Sequence, residues 1–235
     1  MTDPHTPTTP AALPYGTPDA PRLAVRGEAR LEVDPEIARI AVTVSARGTD
    51  RTTALTDLTQ RNEAALTLIK NYGDAIEKLE TGTFSLTPQL TEKGRHERIR
   101  AYHGRVTHTA TLNDFTVLGE LTTRLADLDL TGVDGPWWAL RPDSPAHRTA
   151  RTRAVHEAVQ RAREYAEALD ARLDALLEIA DLGAENNAPA APAMRSFAGY
   201  GGATQENAPA LDLEPQRQAV YAQVNARFTM TRPAL

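Results

Sequence analysis

His108 has the most favourable position for chemistry of the six histidines in the sequence. It shares one face of a predicted strand with the other even-numbered residues between Tyr102 and Leu112. A buried imidazole can act as a general base near neutral pH. Because no carboxylate or nucleophile stands at a workable spacing on that face, we interpret His108 as a hydrogen-bonded core or interface residue. The alternative is a pocket around His108 that binds a small ligand or catalyses a reaction.

The remaining metal-ligating residue types do not form a recognisable metal site. His147 and His156 are nine residues apart, which places them on opposite sides of a helix. The stretch from Asp127 to Gly132 imitates the start of a calcium loop, but Trp138 stands where such a loop needs a bidentate glutamate. The absence of cysteine excludes disulfides, thiolate zinc sites and iron–sulfur clusters. We therefore expect no metal and no cofactor.

Sequence motifs for nucleophilic catalysis and phosphate binding are also missing. No serine stands in a G-x-S-x-G turn, and no Gly-Lys-Ser or Gly-Lys-Thr occurs. The net charge of −5, from 26 basic and 31 acidic residues, argues against a general nucleic-acid binder. Acidic neighbours balance a group of arginines in the predicted long helix, which we interpret as a solvated face: Arg148, Arg151, Arg153, Arg161 and Arg163. We expect neither enzymatic activity nor a nucleic-acid partner.

Five apolar residues are candidates for contacts between subunits. Trp137 and Trp138 are adjacent in a predicted strand, so their side chains point to opposite faces. One ring can enter the core, and the other forms either a subunit contact or part of an intramolecular lid. The Ala-, Pro- and Gly-rich stretch 183–215 contains the other three, Met194, Phe197 and Tyr200. We interpret this stretch as a flexible loop, with an arm that orders on a partner subunit as the alternative.

The first residues of the chain have the composition of a tail. Residues 1–21 contain six prolines and five threonines but no lysine or arginine. This composition predicts a disordered segment. A secretion signal needs a positively charged start followed by about 7–15 apolar residues, and a membrane span needs about 20. Since neither pattern is present, we expect a cytoplasmic location for the chain as given and no membrane span.

Hydrophobic periodicity predicts an α+β fold with a largely antiparallel sheet and helices packed on one face. The predicted order of elements is ββα-ββαβ-αββ. The first group is an opening hairpin of Leu23 to Val33 with Ile40 to Ala46, followed by a helix from Thr49 or Asp50 to Gly73. The second group is a hairpin of Lys78 to Leu90 with Tyr102 to Leu112, a helix capped by Asn113 or Asp114, and a strand from Val133 to Leu140. The third group is a long helix capped by Ser144, whose inner stripe includes Tyr165, and strands at Leu176 to Leu182 and Val220 to Met230.

Several short motifs in this order resemble the SIMPL family, a bacterial domain of unknown function that includes periplasmic immunogenic proteins. They are Val25-Arg26-Gly27-Glu28-Ala29, Pro35-Glu36-Ile37-Ala38, Leu79-Glu80-Thr81 before a Thr-rich strand, and an alanine series along the long helix at Ala154, Ala158, Ala162 and Ala166. The resemblance runs from Arg22 to Met230. We therefore assign 22–232 to one SIMPL-like domain that contains the loop 183–215.

The resemblance also implies what kind of protein to expect. No catalytic residue is established for SIMPL proteins, which are often exported and have been linked to stress tolerance, signalling contacts and self-assembly. Our leading hypothesis is accordingly a non-enzymatic, self-associating protein that forms a homo-oligomer. Its stress-related or scaffold role and its protein partner are not specified by the sequence.

Overall fold

The computed structural model describes residues 16–90, 99–181 and 211–234. Met194, Phe197 and Tyr200 lie outside these described residues. The elements in chain order are β1 (Gly16–Thr17), β2 (Ala20–Val33), β3 (Ile37–Gly48), α1 (Arg51–Lys70), a 3₁₀ turn (Gly73–Ala75), β4 (Ile76–Leu90), β5 (Ile99–Leu112), α2 (Leu118–Ala126), β6 (Thr131–Ala139), α3 (Pro145–Glu167), β7 (Leu173–Asp181) and β8 (Gln218–Met230). This confirms the α+β class, and the order of elements follows the prediction, with β1 as an addition.

The described residues form two compact units, each built on one four-stranded sheet. The terminal unit comprises 16–32, 143–181 and 219–234, and its strand order is β1-β2-β8-β7. The central unit comprises 33–90, 99–142 and 211–218, and its strand order is β4-β5-β3-β6. Strand β1 extends the first sheet into the stretch that composition assigned to the tail.

The predicted opening hairpin is wrong, because β2 and β3 belong to different sheets. Strand β3 pairs antiparallel with β5 along one edge and with β6 along the other. Both edges of β3 are therefore occupied, and β2 lies beside β8 instead. Alternation of apolar and polar residues fixes which side chains share a face of a strand, but it does not specify the neighbouring strand.

The second predicted hairpin is confirmed. Strands β4 and β5 pair from Ile76 opposite Leu112 to Leu90 opposite Ile99, with three register shifts on the way. Helices α1 and α2 cover one face of this sheet and close the core of the central unit. The fully buried larger aliphatic residues there are Ile40, Val42, Val44, Ile69, Leu112, Leu118, Leu121 and Leu125.

Two of the three predicted helix starts are confirmed. The Asp50 side chain accepts a backbone hydrogen bond from the first turn of α1 at 2.9 Å, and Ser144 caps α3. The third prediction is wrong, because Asp114 binds the backbone N–H of Thr116 in a turn and α2 begins only at Leu118. Aspartate serves local turns as readily as helix caps, so its position alone does not fix where a helix begins.

Helix α3 lies unusually close to the sheet of the terminal unit. Its inner stripe consists of small residues at every fourth position, namely Ala150, Ala154, Ala158, Ala162 and Ala166. Tyr165, which periodicity placed on this stripe, is 53% exposed. A Cβ atom added to Gly27 of β2 would lie 2.0 Å from the carbonyl oxygen of Ala154. The packing of α3 therefore requires a residue without a side chain at position 27.

We expect Gly27→Ala to destabilise the protein by about 1–3 kcal/mol or more, because overpacking forces the helix away from the sheet. Thermal unfolding followed by circular dichroism measures this loss. The matched control is Gly132→Ala in β6, where an added Cβ atom meets nothing within 4 Å. Equal melting temperatures for the two variants would contradict the proposed close packing of α3.

Candidate functional site

His108 lies in the interior of the central unit, in the middle of β5. The register places it beside Val42 of β3 on one side and Thr81 of β4 on the other. Its side chain points towards α1 and is 1% exposed. The prediction that His108 faces inward is confirmed.

Two uncharged side chains bind the imidazole ring. Asn62 of α1 places Oδ1 at 2.5 Å from Nε2, and Thr81 places Oγ1 at 3.1 Å from Nδ1. Since an amide oxygen can only accept a hydrogen bond, Nε2 carries the hydrogen and donates the hydrogen bond to Oδ1 of Asn62. The Thr81 hydroxyl then donates to Nδ1. We refer to Asn62, Thr81 and His108 as the His108 network.

The His108 network favours the neutral imidazole. Burial lowers the pKa of His108 from its ordinary value of 6.5, because the charged ring would lose its hydration. Neither hydrogen-bond partner is a carboxylate that could offset this loss. The ring is therefore uncharged at neutral pH and connects helix α1 to two strands of the sheet.

Both ring nitrogens of His108 are occupied by hydrogen bonds to Asn62 and Thr81. Among the described residues, no buried side-chain nitrogen or oxygen atom lacks a hydrogen bond. Sequence reasoning did not identify Asn62 and Thr81 as partners of His108. The signal for Asn62 was present, because it is the polar member of the apolar stripe of α1.

Trp137 and Trp138 point to opposite faces of β6, as predicted for neighbours in a strand. Trp138 packs against the core of the central unit and meets Phe115 edge to face, with the ring centroids 4.9 Å apart. Trp137 lies on the other face, opposite Arg39 of β3, and is 37% exposed. Trp137 is therefore the exposed member of the pair, and Trp138 is partly buried.

The stretch from Asp127 to Gly132, which imitates the start of a calcium loop, contributes Asp129 to an ion-pair cluster. Arg61 of α1 binds Asp57 at 2.9 Å and approaches Asp129 at 3.8 Å, at the edge of a surface depression of about 390 Å³. The guanidinium group of Arg61 is itself the cation beside Asp57 and Asp129. Within the described ranges, no group of three or more histidines or carboxylates is arranged to hold a metal ion.

Of the helices within 16–90, 99–181 and 211–234, none combines the length and apolar composition needed to cross a membrane.

The family comparison covers both units. A family model described as SIMPL, protein of unknown function (DUF541), matches residues 23–228. The chain belongs to the SIMPL family. The resemblance inferred from short motifs is thereby confirmed, and the SIMPL description assigns no reaction to the protein. No curated protein matches the chain.

We expect the free energy of unfolding of this SIMPL protein to fall as the pH decreases below about 6.5. The pKa of His108 is lowered in the folded state. Below about pH 6.5, His108 therefore binds a proton in the unfolded chain but remains neutral in the native state. Above the unfolded-state pKa both states are neutral, and this contribution to the pH dependence disappears. Urea unfolding at pH 7.5 and pH 5.0 measures the difference.

The pH-dependent difference should be smaller in His108→Gln, which cannot titrate, than in the unsubstituted protein. His156→Gln is the matched control, because His156 is exposed on α3. The assignment of this pH dependence to His108 is refuted when His108→Gln retains the full difference.

Proposed function

We propose that this SIMPL protein is a non-enzymatic module that associates with a second copy of itself through strand β7. The observation that carries the proposal is a row of exposed aliphatic side chains on an edge strand. Leu176, Leu177 and Ile179 are 55%, 54% and 46% exposed, and β7 is the last of the described strands in its sheet. An edge strand presents unpaired N–H and C=O groups that can continue the sheet into another chain.

Helix α3 covers the start of β7 at Leu173 but leaves Leu176 and Ile179 exposed. Phe228 and Ala226 of β8 pack with the alanines of α3 in the core of the terminal unit. Leu176 stands opposite Phe228 and therefore lies on the same side of the sheet. Ile179 likewise stands opposite Ala226. Since a helix is about 10–12 Å wide and strands are about 4.8 Å apart, one helix covers two strands and leaves a third uncovered.

The other edge of this sheet is protected. Strand β1 pairs only with the first two residues of β2. Farther along β2, Glu157 of α3 accepts a hydrogen bond from the Glu28 backbone N–H at 3.0 Å, and Arg161 donates one to the Arg26 carbonyl oxygen at 2.8 Å. Glu157 and Arg161 are also ion-paired with each other. We call these two side chains the β2 clamp, because they occupy backbone groups that an added strand would need.

The contrast between the two edges supports a closed dimer. Antiparallel pairing of two β7 strands about a two-fold axis would use the apolar edge of both copies. The outer edges of the combined sheet would then be the two β2 edges, each carrying the β2 clamp. Growth through this contact therefore stops at two copies.

Trp137 is a second candidate contact, on the central unit. Its exposed indole lies on the open face of the sheet and combines a large apolar area with a polar N–H, a combination that is enriched at interfaces. We include Trp137→Ala in the association measurements below, where weaker association supports a role for this face.

The alternative of a pocket at His108 receives no support from the site geometry. A ligand site needs convergent polar groups around accessible space. The residues that line the surface depressions identified within the described residues do not include His108. A reaction at His108 would first require the His108 network to break.

We expect the double variant Leu176→Lys/Ile179→Lys to weaken self-association by at least about tenfold, because two ammonium groups would have to be desolvated at the contact. Light scattering coupled to size-exclusion chromatography over a micromolar range measures the oligomer. Tyr165→Lys is the control, since Tyr165 is 53% exposed on α3 of the same unit. The β7 contact is ruled out if the unsubstituted protein is monomeric. It is also ruled out if the unsubstituted protein, the double variant and Tyr165→Lys associate equally.

We expect removal of the β2 clamp in Glu157→Ala/Arg161→Ala to increase association beyond the dimer, because a second strand edge becomes available. The matched control is Gln160→Ala/Glu164→Ala, which removes a hydrogen-bonded pair of the same spacing on the same helix. A clamp variant with the same mass distribution as the control would show that Glu157 and Arg161 do not protect the edge.

A further inference from the structure

We propose that the central unit binds a phosphate or sulfate group in a depression on the open face of its sheet. The depression has a volume of about 330 Å³. Three strands line it, through Ser45 of β3, Ser85 and Thr87 of β4, and His103, Gly104 and Arg105 of β5. This face is opposite the one that α1 covers, and the site is separate from the β7 contact in the terminal unit.

The strand register brings the polar side chains into two adjacent rows. Ser45 and Ser85 stand directly opposite Arg105, one on each side. In the next row Arg47 and Thr87 flank His103 in the same way. Directly opposed residues have Cβ atoms about 4.5–5.5 Å apart, so hydroxyl and guanidinium groups of one row can reach a common ligand.

The charge of these two rows is positive although the chain as a whole has a net charge of −5. Among the described residues, neither Arg47 nor Arg105 forms an ion pair or a hydrogen bond through its side chain. Glu80, a carboxylate farther along the same face, is bound by Lys78 at 2.7 Å. The attraction for an anion is therefore local and is not the result of overall charge.

The chemistry of the lining residues suits a compact oxyanion. A guanidinium group binds the oxygens of phosphate or sulfate with two parallel hydrogen bonds. Hydroxyl groups on both sides of Arg105 can donate to the remaining oxygens. The ring of His103 is held in place by a hydrogen bond of 3.0 Å between Nε2 and Oε1 of Gln89. An aliphatic ligand could not accept hydrogen bonds from these donors, and Arg105 would repel a cationic ligand.

Heteronuclear NMR titration of the full chain tests the proposal with three probes at constant ionic strength, namely inorganic phosphate, inorganic sulfate and glycerol phosphate. We expect saturable shifts in the amides of Ser45, Ser85 and Arg105 for at least one probe. Binding of an inorganic ion identifies a free anion as sufficient, whereas binding of glycerol phosphate alone identifies an ester. Sodium chloride is the reference for ionic screening, and shifts equal to those in chloride overturn the proposal.

The variants make the test specific to this depression. Arg105→Gln should weaken binding by about tenfold or more, because a charge-assisted bidentate contact is lost. Ser85→Ala should weaken binding by a smaller factor without a change of charge. Arg163→Gln, an exposed arginine of α3, removes the same charge elsewhere and should bind as the unsubstituted protein does. Equal affinity in Arg105→Gln and Arg163→Gln would exclude this site.

Discussion

A helix is narrower than four strands, and this constraint determines which surfaces of the protein are exposed. At about 10–12 Å across, a helix covers two strands spaced about 4.8 Å apart. In the terminal unit α3 covers β2, β8 and the start of β7, and Leu176 and Ile179 farther along β7 remain exposed. In the central unit Phe84 faces the same side as buried Val106 but is 58% exposed. Apolar surface at the margins of both sheets follows from the number of helices available.

The two edges of the sheet in the terminal unit differ in how their backbone groups are protected. Glu157 and Arg161 reach from α3 to backbone groups of β2, and they can do so because Gly27 and the alanine stripe bring the helix close. The close packing of α3 and the protection of β2 therefore have one cause. Strand β7 has no comparable clamp among the described residues, and this asymmetry is the basis of the proposed closed dimer.

His108, a fully buried polar residue of the central unit, is neutral and paired at both ring nitrogens, whereas none of the described charged residues is buried. His108 has a lowered pKa and two uncharged partners, so it holds α1 to the sheet without a buried charge. The guanidinium groups of Arg47 and Arg105 instead stay on the open face, where an anion can reach them. This division separates the stability of the core from the proposed anion site on the outer face.

Periodicity within single elements is enough to predict the α+β class, the order of the main strands and helices, the inward face of His108 and the opposite orientations of the two tryptophans. The short strand β1, the pairing of β2 with β8, the contacts of Asn62 and Thr81 with His108 and the position of Arg105 between two serines become visible only in the folded chain. Except for β1, each of these features joins residues far apart in the chain. Local patterns specify the face of a strand, whereas its neighbours depend on the packing of the whole unit.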